Sequence, residues 1–264
     1  MPTRTLPTPT FARTVRGSGP GLLVAHGSGG SVAGNYGPIL DGLAAGHTVV
    51  GVDYPGTGDT PRSAGPLSLD DLADQLVAAG DAEGLDTFAV AGYSLGGAVA
   101  IRAATRHPER VTALVLTAAF AHPDARLTLA SRVWRGLYES GDHAALAAFL
   151  VPTALSPAAF DALSPDTLTA VLAMTAESAP AGTPEHTDLV ERTDVRADLA
   201  AITVPALVVS TTGDNLVAPA LHRAVAAGLP NARLIELPAG HLPFAERPEE
   251  WLTAITTFLT EVGR

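Results

Sequence analysis

The chain has 264 residues, of which 47 % are hydrophobic and 16 % charged, enough apolar material for one sizeable globular core. Its net charge of −11, with every one of the 16 basic residues an Arg, excludes the basic surface that nucleic acid or an anionic membrane would need. Cysteine is absent, which removes disulfides, thiolate metal sites and a thiol nucleophile together.

In chain order, Met1 to Phe11 carries Pro and Thr without the apolar stretch of a signal peptide, so a loose terminus and a cytoplasmic bacterial setting are expected. Six strand-like runs follow: Gly21–Ala25, Thr48–Asp53, Thr87–Ala91, Thr112–Thr117, Ala206–Thr211 and Ala232–Leu237. Their apolar residues run almost without interruption, the pattern of strands covered on both faces. Helices are expected between them, including Ser68–Ala79 with its Ser-x-x-Asp start and Gly96–Arg106 ending before Pro108. This alternation predicts an α/β fold with a mostly parallel central sheet. Between about residues 121 and 200 the strand signals vanish. Ala/Leu-rich helical stretches there are punctuated by Pro123, Pro152, Pro157, Pro165, Pro180 and Pro184, which reads as a helical insertion. No run approaches the roughly 18 apolar residues of a membrane span.

Gly92-Tyr93-Ser94-Leu95-Gly96-Gly97 lies directly between a predicted strand and a predicted helix. Such a turn forces the serine into a strained backbone conformation and needs glycine where a Cβ would collide. It presents the hydroxyl at the C-terminal edge of the sheet, where open α/β folds bind ligands. A serine hydroxyl is a weak nucleophile until a base takes its proton. Of the 8 histidines, His241 follows the last strand and so emerges at the same edge. His47 precedes a strand and belongs at the opposite edge. His107, His122, His143, His186 and His222 fall in helices or insertion loops, where solvated surface roles are expected. Asp214, just after the strand Ala206–Thr211, is placed to orient the imidazole; Asp53 ends a strand farther away.

Two backbone donors are needed where a carbonyl oxygen would become charged. The N–H of Leu95 is one candidate, and that of Ser28, in His26-Gly27-Ser28-Gly29-Gly30, is the other. The glycine-rich loop is not a phosphate cradle of the P-loop kind, since the chain has no Lys at all.

Taken together, His26-Gly27, Asp53-Tyr54-Pro55-Gly56-Thr57-Gly58, the Ser94 turn, Gly213-Asp214 and Gly240-His241 resemble the α/β-hydrolase superfamily over nearly the whole chain. Within it the chain is similar to the small esterase, enol-lactonase and cofactor-free haloperoxidase group. The resemblance implies a hydrolase core over 1–120 and 201–264, with 121–200 as a helical cap that selects substrates. It implies a serine hydrolase that cleaves a carboxylic ester, lactone or thioester of a small to medium, partly apolar substrate. Neither cofactor nor metal is expected. Ser94, Asp214 and His241 are the expected catalytic residues. Candidate pocket residues are Gly27, Gly29, Tyr93, Phe120 and Leu242 beside the motifs, with Trp134 and Tyr138 from the cap. Phe149, Leu150, Phe160, Leu163 and Met174 are further apolar candidates there. A small-molecule substrate is the one partner implied, with a monomer or homodimer both open. The same triad could instead serve a lyase, cyclase or decarboxylating step, or the fold could survive in a non-catalytic binder.

Overall fold

A computed structural model describes residues 10–263, so the expected loose terminus at residues 1–9 lies outside the described residues. The six expected strands form: β2 (Gly21–Ala25), β3 (Thr48–Val52), β4 (Phe88–Tyr93), β5 (Val111–Thr117), β6 (Ala206–Thr211) and β7 (Ala232–Leu237). A further strand precedes them, β1 (Arg13–Arg16), which pairs antiparallel with β3 at the sheet edge. It is four residues long and carries Arg at both ends, so it offers no apolar run to find. Charged ends also suit an edge strand, whose open backbone invites unwanted pairing.

The seven strands lie in the order β1-β3-β2-β4-β5-β6-β7, parallel except for β1. From β2 the chain steps outward to β3 and then returns to place β4 on the other side of β2. That reversal opens a crevice at the carboxyl ends of β2 and β4, the place where such sheets bind ligands.

Helices cover both faces. On one side lie α1 (Val32–Ala44) and the C-terminal α11 (Pro248–Val262), preceded by the single turn α10 (Pro243–Glu246); on the other lie α2 (Leu69–Ala82) and α3 (Leu95–Arg106), with α9 (Pro219–Gly228) beside β6 and β7. Ser31 and Ser68 cap α1 and α2, each accepting from a backbone N–H of the first turn. Between β5 and β6 run α4 (Ala125–Glu139), α5 (His143–Ala154), α6 (Pro157–Asp161), α7 (Pro165–Glu177) and α8 (Thr183–Arg192). The prolines that punctuate this segment have a physical reading: Pro157 and Pro165 open α6 and α7 directly behind the caps Ser156 and Ser164. Neither α6 nor α7 buries a side chain, whereas α8 buries six residues. No described helix is long and apolar enough to cross a membrane.

Trp251 on α11 ties this architecture to the crevice. Its ring is fully buried between α1 and the sheet, and its Nε1–H donates to Thr117 Oγ1 at 2.9 Å. Thr117 ends β5, and its carbonyl accepts the Ser94 N–H. Trp251→Ala should therefore cost about 3–5 kcal/mol of stability. Urea unfolding followed by circular dichroism will measure it, and a loss below about 1 kcal/mol would mean that the indole is not packed as described.

Candidate active site

β4 ends at Tyr93 and α3 begins at Leu95, so Ser94 alone makes the turn, with φ 55° and ψ −121°. A non-glycine residue held there costs about 1–3 kcal/mol, which surrounding structure must over-determine. The surroundings do so by close backbone approach. A Cβ at Gly92 would strike the carbonyl of Gly96, and one at Gly96 would strike the carbonyl of Ala25 at the end of β2. The Ser94 N–H is held by Thr117 O at 2.9 Å.

The Ser94 hydroxyl meets His241 Nε2 at 3.0 Å, and His241 Nδ1 meets Asp214 Oδ2 at 2.7 Å. A carboxylate can only accept, so Nδ1 carries the proton and Nε2 is free to accept from the hydroxyl. Three side chains separated by up to 147 positions thus form one continuous relay. Asp214 is fully engaged: Oδ1 accepts from the N–H groups of Leu216 and Val217 at 2.9 and 2.8 Å, and Oδ2 also accepts from Thr211 Oγ1 at 3.0 Å. The loop that carries His241 is pinned in turn. Its N–H donates to Ala154 O at 2.7 Å, and its carbonyl accepts from Tyr93 Oη at 2.7 Å. Glu246 accepts from Gly240 N and Ser156 N, both at 3.0 Å, and from Ser156 Oγ at 2.6 Å. The end of α5 and the start of α6 are therefore stitched to the histidine loop.

The other wall is the loop after β2. Gly27 N–H donates to Asn35 Oδ1, and Gly30 N–H to Gly27 O. His26, buried, accepts the Tyr54 N–H on Nε2 at 2.9 Å, which leaves Nδ1–H to donate to Gly27 O at 2.8 Å. The Gly27 carbonyl is thus fixed from two sides, and because the peptide is planar and trans the Ser28 N–H points the opposite way. Ser28 N–H makes no hydrogen bond to any described residue. Leu95, as the first residue of α3, has an N–H without an intrahelical acceptor.

Above these groups lies a cavity of about 760 Å³, a size usual for small-molecule sites. Ser28, Gly29, Tyr93, Ser94, Trp134, His241 and Leu242 line it, as do Leu150, Leu163 and Met174. Five of the candidate residues are not on this wall. Phe120 is buried in the core between sheet and helices, and Tyr138 stacks on His143, so neither lines the cavity. Phe149 and Phe160 are likewise absent from its wall. Gly27 sits behind the cavity: its Cα is covered by the Tyr93 ring, and a Cβ would collide with it. Three histidines expected at the surface are buried. His107 pairs with Asp74, His186 turns inward from α8 to Pro55 O, and His222 stands behind Asp214 with Nε2 3.8 Å from Oδ2. His222 Nδ1 is 3.2 Å from Ser210 Oγ. Helical amphipathicity of α8 and α9 is the signal that points to burial for His186 and His222, since each helix turns one face to the core. Among the described residues no cluster of His, Asp and Glu is arranged to hold a metal ion.

A family model described as alpha/beta hydrolase fold matches residues 20–248. The chain is 32 % identical over 247 residues to pyrrolizixenacetamide deacetylase of Xenorhabdus hominickii, covering 93 % of this chain and 92 % of that one. It is 33 % identical to a pimeloyl-[acyl-carrier protein] methyl ester esterase of Neisseria meningitidis, covering 85 % and 88 % of the two chains. The solved enol-lactonase of Burkholderia xenovorans shares the fold, with a TM-score of 0.80 at 23 % identity over 95 % of this chain and 96 % of that one.

The electrostatics of the site bear on stability. Burial pushes the His26 imidazole down to about 3 and those of His186 and His222 to about 4, so all three are neutral at pH 7. Burial pushes Asp214 upward, but the His241 charge, the His241 hydrogen bond and the backbone donors together hold it below the usual carboxylate range. An unfolded chain would protonate the three imidazoles near pH 6.5. Between about pH 6.5 and 4 it therefore binds more protons than the folded chain, and stability falls as pH falls. Asp214 adds a loss of the same sign below its unfolded pKa. Thermal unfolding recorded from pH 8 to 4 should show Tm falling steadily below about 6.5; a flat Tm across that window would contradict three neutral buried imidazoles.

Proposed function

The chain belongs to the α/β-hydrolase family, and on that footing we propose that it is a serine hydrolase which works through an acyl-enzyme on Ser94. The observation that carries this reading is the continuous relay from Asp214 through His241 to Ser94, opening into an apolar cavity. Ser94 Oγ attacks the substrate carbonyl carbon while His241 Nε2 takes the hydroxyl proton. Asp214 stabilises the imidazolium that results and keeps the ring in the tautomer required. The tetrahedral oxyanion is received by the N–H groups of Ser28 and Leu95, aided by the N-terminus of α3. His241 then gives its proton to the leaving group, the C–O, C–S or C–N bond breaks, and the acyl-enzyme remains. Water repeats the sequence in reverse order and frees the acid and Ser94.

The wall of Leu127, Trp134, Leu150, Leu163, Val171 and Met174 favours a substrate with a substantial apolar part. The names of the relatives from X. hominickii and N. meningitidis, a deacetylase and a methyl ester esterase, support ester and amide-type bonds with one small partner, acetyl or methyl. The helices α4–α8 act in this reading as the cap. An intact relay argues for turnover over a binder, since a receptor needs none of the three groups.

Purified protein should hydrolyse at least one of a panel of p-nitrophenyl esters, simple lactones, acyl thioesters and N-acetyl arylamides. Ser94→Ala should lower kcat by roughly a thousandfold or more, and Asp214→Asn by about 100-fold or more through loss of the correct tautomer. A fluorophosphonate probe should label wild type and not Ser94→Ala. Turnover that survives Ser94→Ala would refute the acyl-enzyme.

A further inference from the structure

We propose that His186, on the first turn of α8, is a positioning residue for the oxyanion-binding loop, so that the helical cap helps set how strongly the hole grips the transition state. The inference rests on the assignment of Ser28 N–H as an oxyanion donor.

His186 is fully buried, and both its ring nitrogens are used. Nε2 lies 3.0 Å from Pro55 O, and a carbonyl can only accept, so Nε2 carries the hydrogen. Nδ1 therefore holds a lone pair, and it accepts the Gly29 N–H at 3.1 Å. One imidazole thus joins α8 to the loops that follow β2 and β3. Its tautomer is dictated by these two backbone partners.

The bond to Gly29 matters because of what stands beside it. Ser28 lies between two peptide planes. The plane before it is fixed by His26 and Gly30, both donating to Gly27 O. The plane after it carries the Gly29 N–H, which His186 Nδ1 holds. Gly29 has φ +65°, a conformation with little intrinsic preference to hold, and the Trp134 ring of α4 packs directly over its Cα. Without an acceptor on α8, this second plane would be held by the Trp134 contact alone, and the Ser28 Cα that it shares with the first plane would loosen the aim of the Ser28 N–H. A hole that works by preorganised donors loses rate when a donor drifts by fractions of an ångström.

His186 is not what keeps α8 docked. Gly182 N–H donates to Gly56 O at 3.0 Å, and Glu185 grips Arg62 through bonds of 2.8 and 3.0 Å. Arg192 also reaches Leu67 O at 2.9 Å. The ring can thus be altered while the helix stays in place.

Two amide side chains separate the two bonds. Asn places its amide near the Nδ1 position and can still accept from Gly29 N–H; Gln reaches the Nε2 position and can still donate to Pro55 O. Kinetics on the best ester of the panel, inhibition by a boronic acid that forms a tetrahedral adduct on Ser94, and Tm are to be measured for H186N and H186Q. H186Q should lose about 10–100-fold in kcat and a similar factor in boronate affinity, with KM within about threefold. H186N should keep both within about threefold of wild type, even if its Tm falls as far as that of H186Q. Equal losses in the two variants, or none in either, would overturn the proposal. Ser94→Ala run alongside separates the levels: if it retains turnover, the serine mechanism itself fails. If it is inactive while H186Q binds boronate as wild type does, only the role of His186 falls.

Discussion

A carboxylate with almost no access to water is costly unless donors replace the water it has lost, and Asp214 is such a group. Its four hydrogen bonds come from Thr211 at the end of β6, from the N–H groups of Leu216 and Val217, and from His241. Three of these are local to one turn, so the strand end and the turn must be in place before the charge can be tolerated. The fourth reaches across to the loop after β7. Because β6 and β7 lie side by side, that loop arrives where the charge needs it. Ser94 is then brought to the far side of the imidazole by the strand that β5 separates from β6. The parallel sheet is, in this sense, a device for delivering three loop residues to one edge.

The helical segment above the sheet is not attached uniformly. It is bound to the machinery at two places, one in its middle and one at its C-terminal end. At the α5–α6 junction, Ala154 and Ser156 bond to the His241 loop directly and through Glu246. At α8, His186, Glu185 and Gly182 bond to the loops after β2 and β3. α4 leans on α8 through the ion pairs Arg132–Glu191 and Arg135–Glu191. Pairs that keep one partner in water contribute little each, and the buried contacts of α8 carry more of the docking. Between these anchors, α6 and α7 lie over the cavity with no buried side chain.

How much of this is legible follows from what each feature writes into the sequence. Strands β2 to β6 are buried on both faces and leave continuous apolar runs, so their limits can be read to within a residue or two. β7 is legible from its β-branched and apolar letters although much of it is exposed, and β1, short and capped by Arg, leaves no such mark. Ser94, Asp214 and His241 can be found because each must sit at the carboxyl end of a strand, a place that the order of elements defines. Phe120 misleads by the same logic: proximity to a strand end does not say which way a ring turns, and here it turns into the core. For the buried histidines the helix faces of α8 and α9 give the burial but not the partners. His186 and His222 are satisfied by partners 131 and 12 positions away, and no local pattern announces such a bond.

The shallow burial of α6 and α7 has an evolutionary consequence. Side chains that are at most half-buried can be exchanged at modest cost to folding, so mutations there reshape the roof of the cavity while the relay beneath keeps its geometry. Such a chain can wander among substrates by sampling roofs, with its chemistry held in trust by a sheet that scarcely notices.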